Sequence, residues 1–165
     1  HMRTTGMKRA LTGAAIAAFA MNASAAHAAQ ATATAKAKIL APLTITNNSD
    51  LDFATIVSGA AASTVTVTPA GAPTCGSGLT CIGTVSAAGF TLGGTSGASV
   101  GISGPTTVTL TSGSNNMTAA LTYSATSVTL SSGAGTFSVG GTLNVGANQA
   151  AGNYSGTFNV TANYQ

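Results

Sequence analysis

The side chains that could carry out chemistry are few. Beyond residue 28 the sequence has no His, Arg, Glu or Trp, and its charged side chains are Lys36, Lys38, Asp50 and Asp52. Catalysis needs groups that move protons, attack a bond or hold a metal around one site. Two aspartates in or beside a turn are typical of Asx-turns, and two acids make a poor calcium cage or hydrolytic pair. We therefore expect no enzyme activity, no metal and no cofactor.

The two cysteines form the other candidate pair. Cys75 and Cys81 have five residues between them and lie in a Gly- and Pro-containing stretch. The spacing is not that of a C-x-x-C redox motif, and no histidine follows to complete a metal site. In an exported protein such a pair is typical of a local disulfide. The sequence predicts a structural Cys75–Cys81 bond.

Glycine-rich stretches offer no phosphate cradle. Residues 93–97 and 140–141 lack a following helix and the lysine of a P-loop. We interpret both stretches as turns.

The N-terminus has the three parts of a secretory signal. Met7–Arg9 is a positive region, Ala10–Met21 is apolar and shorter than the ~20 residues of a transmembrane helix, and Ala26–Ala28 is an A-x-A cleavage site. We place the cut after Ala28, with Ala29 as the alternative, and interpret His1-Met2 as a tag remnant. The signal predicts export to the periplasm, then to the cell surface, of a Gram-negative bacterium.

Removal of the signal changes the charge. Two lysines and two aspartates remain, so the formal net charge falls from +3 to zero. A nucleic-acid ligand is not expected, because phosphate neutralisation needs a basic stripe. A net charge near zero favours self-association.

Residues beyond the signal alternate with a period of two, between clusters of Gly, Ser, Asn and Pro. About nine to eleven short strands without a fixed repeat predict an all-β sandwich rather than a solenoid. Turns are predicted at 47–50, 112–116 and 131–135. The predicted strands are 31–40, 43–45, 51–56, 63–67, 89–92, 98–102, 106–110, 118–124, 136–139, 142–145 and 154–164.

The first and last predicted strands each have one apolar face. In the first, this face consists of Ala31, Ala33, Ala35, Ala37 and Ile39. In the last, it includes Tyr154, Phe158, Val160 and Tyr164. One apolar face indicates a strand that covers or borders a core.

Residues 31–45, 51–56, 137–143 and 152–161 resemble a family of exported proteobacterial proteins known as a domain of unknown function. The layout is also similar to chaperone–usher pilins and spore-coat-U-type subunits. This resemblance implies an immunoglobulin-like sandwich that lacks its final strand, whose groove is filled by the N-terminal extension of the next subunit.

The resemblance also implies an organisation and roles. Residues 1–28 are the tag remnant and signal, 29–41 the extension with a candidate donor strand, and 42–165 the sandwich. The apolar face of the first strand would be donated, and that of the last strand would line the groove, with Tyr164 near the terminus as in pilins. Partners would be further copies of the chain, with a periplasmic chaperone and usher.

Two alternatives remain open. Residues 31–40 could be the first strand of a self-complete domain. The protein could then be a monomeric exported adhesin, matrix protein or surface-binding module, including a Thr-rich surface for ice or carbohydrate. Deletion of residues 29–41 separates this hypothesis from a filament subunit.

Overall fold

The structure, a computed structural model, describes residues 28–165; the predicted signal up to His27 lies outside this range. The chain divides after Ala37 into two units, and the strands assigned among the described residues lie in the second, residues 38–165. Its regular elements are all β-strands, which confirms the predicted all-β sandwich.

The strands are β1 Thr44–Ser49, β2 Thr55–Val57, β3 Ser63–Val67, β4 Pro73–Cys75, β5 Thr80–Ile82, β6 Ala88–Gly93, β7 Ser99–Ser103, β8 Thr107–Ser112, β9 Asn115–Tyr123, β10 Ser127–Thr129, β11 Ala134–Val145 and β12 Thr161–Tyr164.

Strand β11 organises the larger sheet. Its first half pairs with β6, which carries β1, and its second half pairs with β3, which carries β4. Its residues 139–144 also pair with β9, which carries β8. A three-stranded sheet has the order β10-β7-β12, and β2 pairs with β5. All these pairings are antiparallel.

The core lies between the sheets. Leu92, Val100, Ala119 and Val139 are fully buried, and the rings of Phe90 and Phe137 stack at 4.9 Å. No polar or charged side chain of residues 28–165 is fully buried. The period of two therefore places apolar side chains inside and Thr and Ser outside, as the sequence predicts.

Residues 28–165 include no helix long and apolar enough to cross a membrane.

The prediction of a turn at Gly140-Gly141 is wrong. The strands predicted at 136–139 and 142–145 are one strand, β11. A Cβ on Gly140 would lie 2.6 Å from Pro69 N and nearer still to the carbonyl oxygen of Val67. Glycine is needed here because two backbones cross closely, not because the chain reverses.

The turn predicted at 47–50 is also wrong. Asn47, Asn48 and Ser49 belong to β1, whose register with β6 shifts between Asn47 and Ser49. The amide of Asn47 donates to the carbonyl of Ser49 at 2.8 Å. A β-bulge thus accommodates the polar residues that suggested a turn.

Other predicted elements are confirmed or shortened. The strand Ser63–Val67 has the predicted bounds, and the Ser131–Gly135 turn narrows to Ser132-Gly133, both with positive φ. The strand predicted at 51–56 is interrupted by Ala54, whose φ is 57°. It leaves an isolated bridge at Asp52 and the short strand β2. Strands β4, β5 and β10 were not predicted.

We predict that Gly140→Ala lowers the free energy of unfolding by about 3 kcal/mol, because the methyl group meets rigid backbone. Gly101→Ala is the matched control, since the atoms nearest to its Cβ belong to the Gln165 side chain and not to the backbone. We expect the control to stay within about 0.5 kcal/mol of the parent protein. Urea unfolding measures both; equal stability of the two variants contradicts the role given to Gly140.

Candidate functional site

The C-terminal segment is shaped like a strand but is paired only at its ends. Phe158 and Val160 are half-buried against the core, and their neighbours are exposed. Only residues 161–164 form a strand, β12, against β7. Within the part of the chain that the structure describes, the backbone of residues 156–160 has no hydrogen-bonded partner. The prediction of one continuous strand over residues 154–164 is therefore wrong. The alternating pattern indicates which side chains are buried, but it does not indicate which backbone groups are hydrogen-bonded.

The free edge of this segment can be identified from its ends. Ser155 N–H and C=O both bond to Thr111, at 3.1 and 2.9 Å, and Gln165 N–H donates to Ser99 O at 3.0 Å. Backbone groups of successive residues in a strand alternate between its two edges. In a continuous strand the even-numbered residues, among them Phe158 and Val160, would direct their backbone groups to the opposite edge. Among the described residues, neither these groups nor those of the odd-numbered residues between them have a partner.

A second unpaired edge lies near the N-terminus of the sandwich. Asp52 exchanges two backbone hydrogen bonds with Ser86, at 2.9 and 3.0 Å. By the same alternation, the backbone groups of Leu51 and Phe53 face away from Ser86. They have no hydrogen-bonded partner within residues 28–165, although Phe53 is buried.

A cleft of about 520 Å³ is lined by the Leu51–Phe53 edge, and its lining ends at Tyr154, before the segment 156–160. Residues 51–58 form one wall, and residues 149–154 form another, just before the unpaired segment. Its rim carries Asp52, Ser58 and Tyr154. Its apolar floor is formed by Phe53, Ile56, Leu110, Met117, Leu143 and Val145.

Hydrogen bonds fix the wall that Tyr154 belongs to. The Tyr154 hydroxyl donates to Ala150 O at 2.7 Å and accepts from Gln149 Nε2 at 2.9 Å. The carbonyl of Gln149 in turn accepts from the Ser58 hydroxyl at 3.2 Å. The two walls are thus joined at one end of the cleft. The sequence predicts Tyr154 at the groove but contains no signal that points to Gln149.

Tyr164 joins the last strand to the start of the sandwich. Its hydroxyl accepts from Thr95 N at 2.8 Å and donates to Ala41 O at 2.9 Å. The Ala41 N–H donates to the Thr95 hydroxyl at 2.7 Å. The base of the predicted N-terminal extension is therefore fixed beside the C-terminal strand.

The predicted donor face is exposed. Ala31, Ala33, Ala35 and Ala37 are exposed, and Ile39 is 93% exposed. No strand is assigned anywhere in residues 28–43, so the strand predicted at 31–40 is not formed in the single chain. Alternation gives this segment a strand-like pattern, but a strand exists only where a partner supplies backbone hydrogen bonds. Its role as a donor stays a prediction.

The predicted disulfide is confirmed. Cys75 ends β4 and Cys81 lies in β5, with Cα atoms 6.1 Å apart. The bond ties the larger sheet to the β2–β5 pair, and Ile56, opposite Cys81, lines the cleft. It therefore supports the wall formed by residues 51–58.

The titratable groups do not converge. Asp50 and Asp52 are exposed, and an Asp52 carboxylate oxygen accepts from Ala54 N at 2.7 Å, as in the expected Asx-turn. Burial raises the pKa of the Tyr123 hydroxyl, which donates to Pro105 O at 2.9 Å. Within residues 28–165 no three His, Cys, Asp or Glu side chains are close enough to share a metal ion.

A family model described as a domain of unknown function (DUF4402) matches residues 43–164. The chain belongs to this family. The expected membership in a domain-of-unknown-function family is thus confirmed, whereas the comparisons give no support to the expected likeness to pilins or spore-coat-U subunits. No curated protein matches the chain. The DUF4402 match includes both walls of the cleft and the unpaired segment 156–160.

We predict that Tyr164→Phe lowers the free energy of unfolding by about 1–3 kcal/mol, because Thr95 N–H and Ala41 C=O both lose a partner. Tyr123→Phe is the control, since that hydroxyl makes one hydrogen bond, and its loss costs about 1 kcal/mol. Thermal and urea unfolding measure both variants. A smaller effect at Tyr164 than at Tyr123 contradicts the anchoring role.

Proposed function

We propose that this protein is a structural subunit of a bacterial surface filament, assembled by donor-strand complementation. The observation that carries the proposal is the backbone of residues 156–160, which has no partner within residues 28–165 while Phe158 and Val160 pack against the core. An unpaired sheet edge is a ready template for another chain. A strand added at this edge, beside the cleft, would complete the sandwich.

The N-terminal extension suits this edge. Its alternation gives one apolar face, with Thr and Lys on the other, and its apolar side chains are exposed in the single chain. Four alanine methyls and Ile39 bury little area, so their contribution is a few kcal/mol at about 25 cal/mol per Å². Main-chain hydrogen bonds, at about 0.5–1.5 kcal/mol each, would supply most of the remaining stability.

Finer features of the proposal follow from the same edge. The sandwich would be immunoglobulin-like and would lack its final strand until a neighbour supplies one. After export through the predicted signal, a periplasmic chaperone would cover the edge, and an usher would release subunits in order. An edge left uncovered favours uncontrolled aggregation, which gives such helpers a physical purpose.

Two neighbouring substitutions test the proposal in the chain that starts at residue 29. Ala33→Asn places an amide on the donor's apolar face, where burial without a partner costs about 1–3 kcal/mol. Thr34→Asn, on the opposite face, is the matched control. Size exclusion and electron microscopy should show filaments for the parent chain and for Thr34→Asn, and mainly monomers for Ala33→Asn.

Two results contradict donor-strand assembly. One is a parent chain that stays monomeric and folded at high concentration, with or without residues 29–41. The other is filament formation that Ala33→Asn and Thr34→Asn affect equally. In the first case the chain is a self-contained module.

A second candidate function, surface binding by a monomer, is favoured by the outer face of the larger sheet. This face carries Thr side chains in register on neighbouring strands; the hydroxyls of Thr66 and Thr142 lie 3.0 Å apart. It carries no charged side chain. Rows of neutral hydroxyls suit an uncharged, hydroxyl-rich surface.

Co-sedimentation of the monomer with neutral polysaccharide or with growing ice tests this candidate function. If the protein is enriched in neither, this function is excluded. The exposed Thr residues of the face include Thr64, Thr107, Thr109, Thr111, Thr118 and Thr122.

A further inference from the structure

Charge is sparse in residues 28–165, where it occurs as two matched pairs. Residues 28–165 contain four charged side chains: Lys36 and Lys38 in the extension, Asp52 in the lining of the cleft, and Asp50 two positions before it. All four are exposed. The two residues of each pair are two positions apart, which in an extended chain is about 6.7 Å.

The lysine pair and the aspartate pair also lie on corresponding faces of their segments. Asp50 and Asp52 are exposed, whereas Leu51 is half-buried and Phe53 is buried. The carboxylates therefore lie on the outer face of a segment whose inner face packs on the core. A donor strand that turns its alanines and Ile39 toward the core turns Lys36 and Lys38 outward. Side chains on the same face of neighbouring strands stand about 5 Å apart, within reach of an ion pair.

We infer that Lys36 and Lys38 of one copy pair with Asp50 and Asp52 of the next copy, and that these pairs set the register of the donated strand. The inference rests on the proposed donor-strand assembly and adds its alignment. The alanine face alone cannot specify a register, because a slip by two residues places one alanine where another stood.

The pairing also gives the donated strand a direction. The cleft is lined by residues 51–58, so alanines 31–35 can enter it only if they continue past Asp52 toward Ser58. With both ion pairs made, this places Lys38 opposite Asp50 and Lys36 opposite Asp52. The donated strand then runs antiparallel to residues 50–58.

No other charge competes with these pairs. The region 43–165 carries no charged side chain except Asp50 and Asp52, so its field has a single negative centre beside the cleft. Opposite charges of this kind steer encounter and fix register more than they add affinity. We therefore expect the assembly rate to fall with salt, because the Debye length is about 10 Å at 0.1 M.

A charge exchange within the full chain from residue 29 tests the inference. Lys36→Gln with Lys38→Gln should slow assembly about tenfold at low salt, and the difference should vanish at high salt. Thr64→Asp with Thr109→Asp, exposed positions on the larger sheet, gives the same net charge and should slow assembly less. Exchanging all four residues, Lys36→Asp, Lys38→Asp, Asp50→Lys and Asp52→Lys, keeps the net charge at zero and should restore the parent rate.

Zero-length carbodiimide crosslinking locates the pairs. A mixture of ¹⁵N-labelled and unlabelled chains, assembled and then crosslinked, should yield peptides that join Lys38 of one isotope to Asp50 of the other. The inference is wrong if the Lys36→Gln, Lys38→Gln variant assembles as fast as the parent chain. It is also wrong if the four-residue exchange variant assembles slowly. Neither result contradicts the assembly itself. Links confined to one isotope show self-complementation and overturn it as well. A parent chain that never assembles instead contradicts the proposed function.

Discussion

The structure depends on one constraint: a strand is stable only when its backbone groups have partners. Among the described residues, the segment before β12 has none. Residues 156–160 keep their apolar side chains on the core, held by Ser155 at one end and β12 at the other. Within residues 28–165 no backbone hydrogen bond holds this stretch, so its contacts with the core fix its position. Among the described residues, the Leu51–Phe53 edge has the same deficit, and this edge lines the cleft.

The rest of the fold holds these edges in place. Strand β11 carries strands on both sides, and the close crossing at Gly140 lets β3 approach it where its partner changes from β6. The disulfide supports one wall of the cleft, and the hydrogen bond from Ser58 to the carbonyl of Gln149 joins the two walls. With almost no charge elsewhere, the few lysines and aspartates gain influence as determinants of alignment.

The sequence allowed the fold class, most strand positions and the disulfide to be predicted, because a period of two and cysteine spacing are local signals. The wrong predictions share a physical cause. The conformations of Gly140, Asn47 and the segment 156–160 depend on the neighbouring strands, and a local sequence pattern does not identify those neighbours. Asn47 is held in β1 by bonds to Ser49 and Gly89, and Gly140 by the backbone of β3. The alternating pattern predicts the apolar faces of the candidate site, but it does not predict which backbone groups lack hydrogen-bond partners.

The central claim is that a second copy supplies the partner of residues 156–160. Amide hydrogen exchange, measured in the assembled protein and in dispersed monomer, tests it most directly. We predict fast exchange at residues 156–160 and 31–39 in the monomer and slow exchange at both in the assembly, with residues 141–144 of β11 slow in each. An assembly in which residues 156–160 exchange as fast as in the monomer would contradict the account.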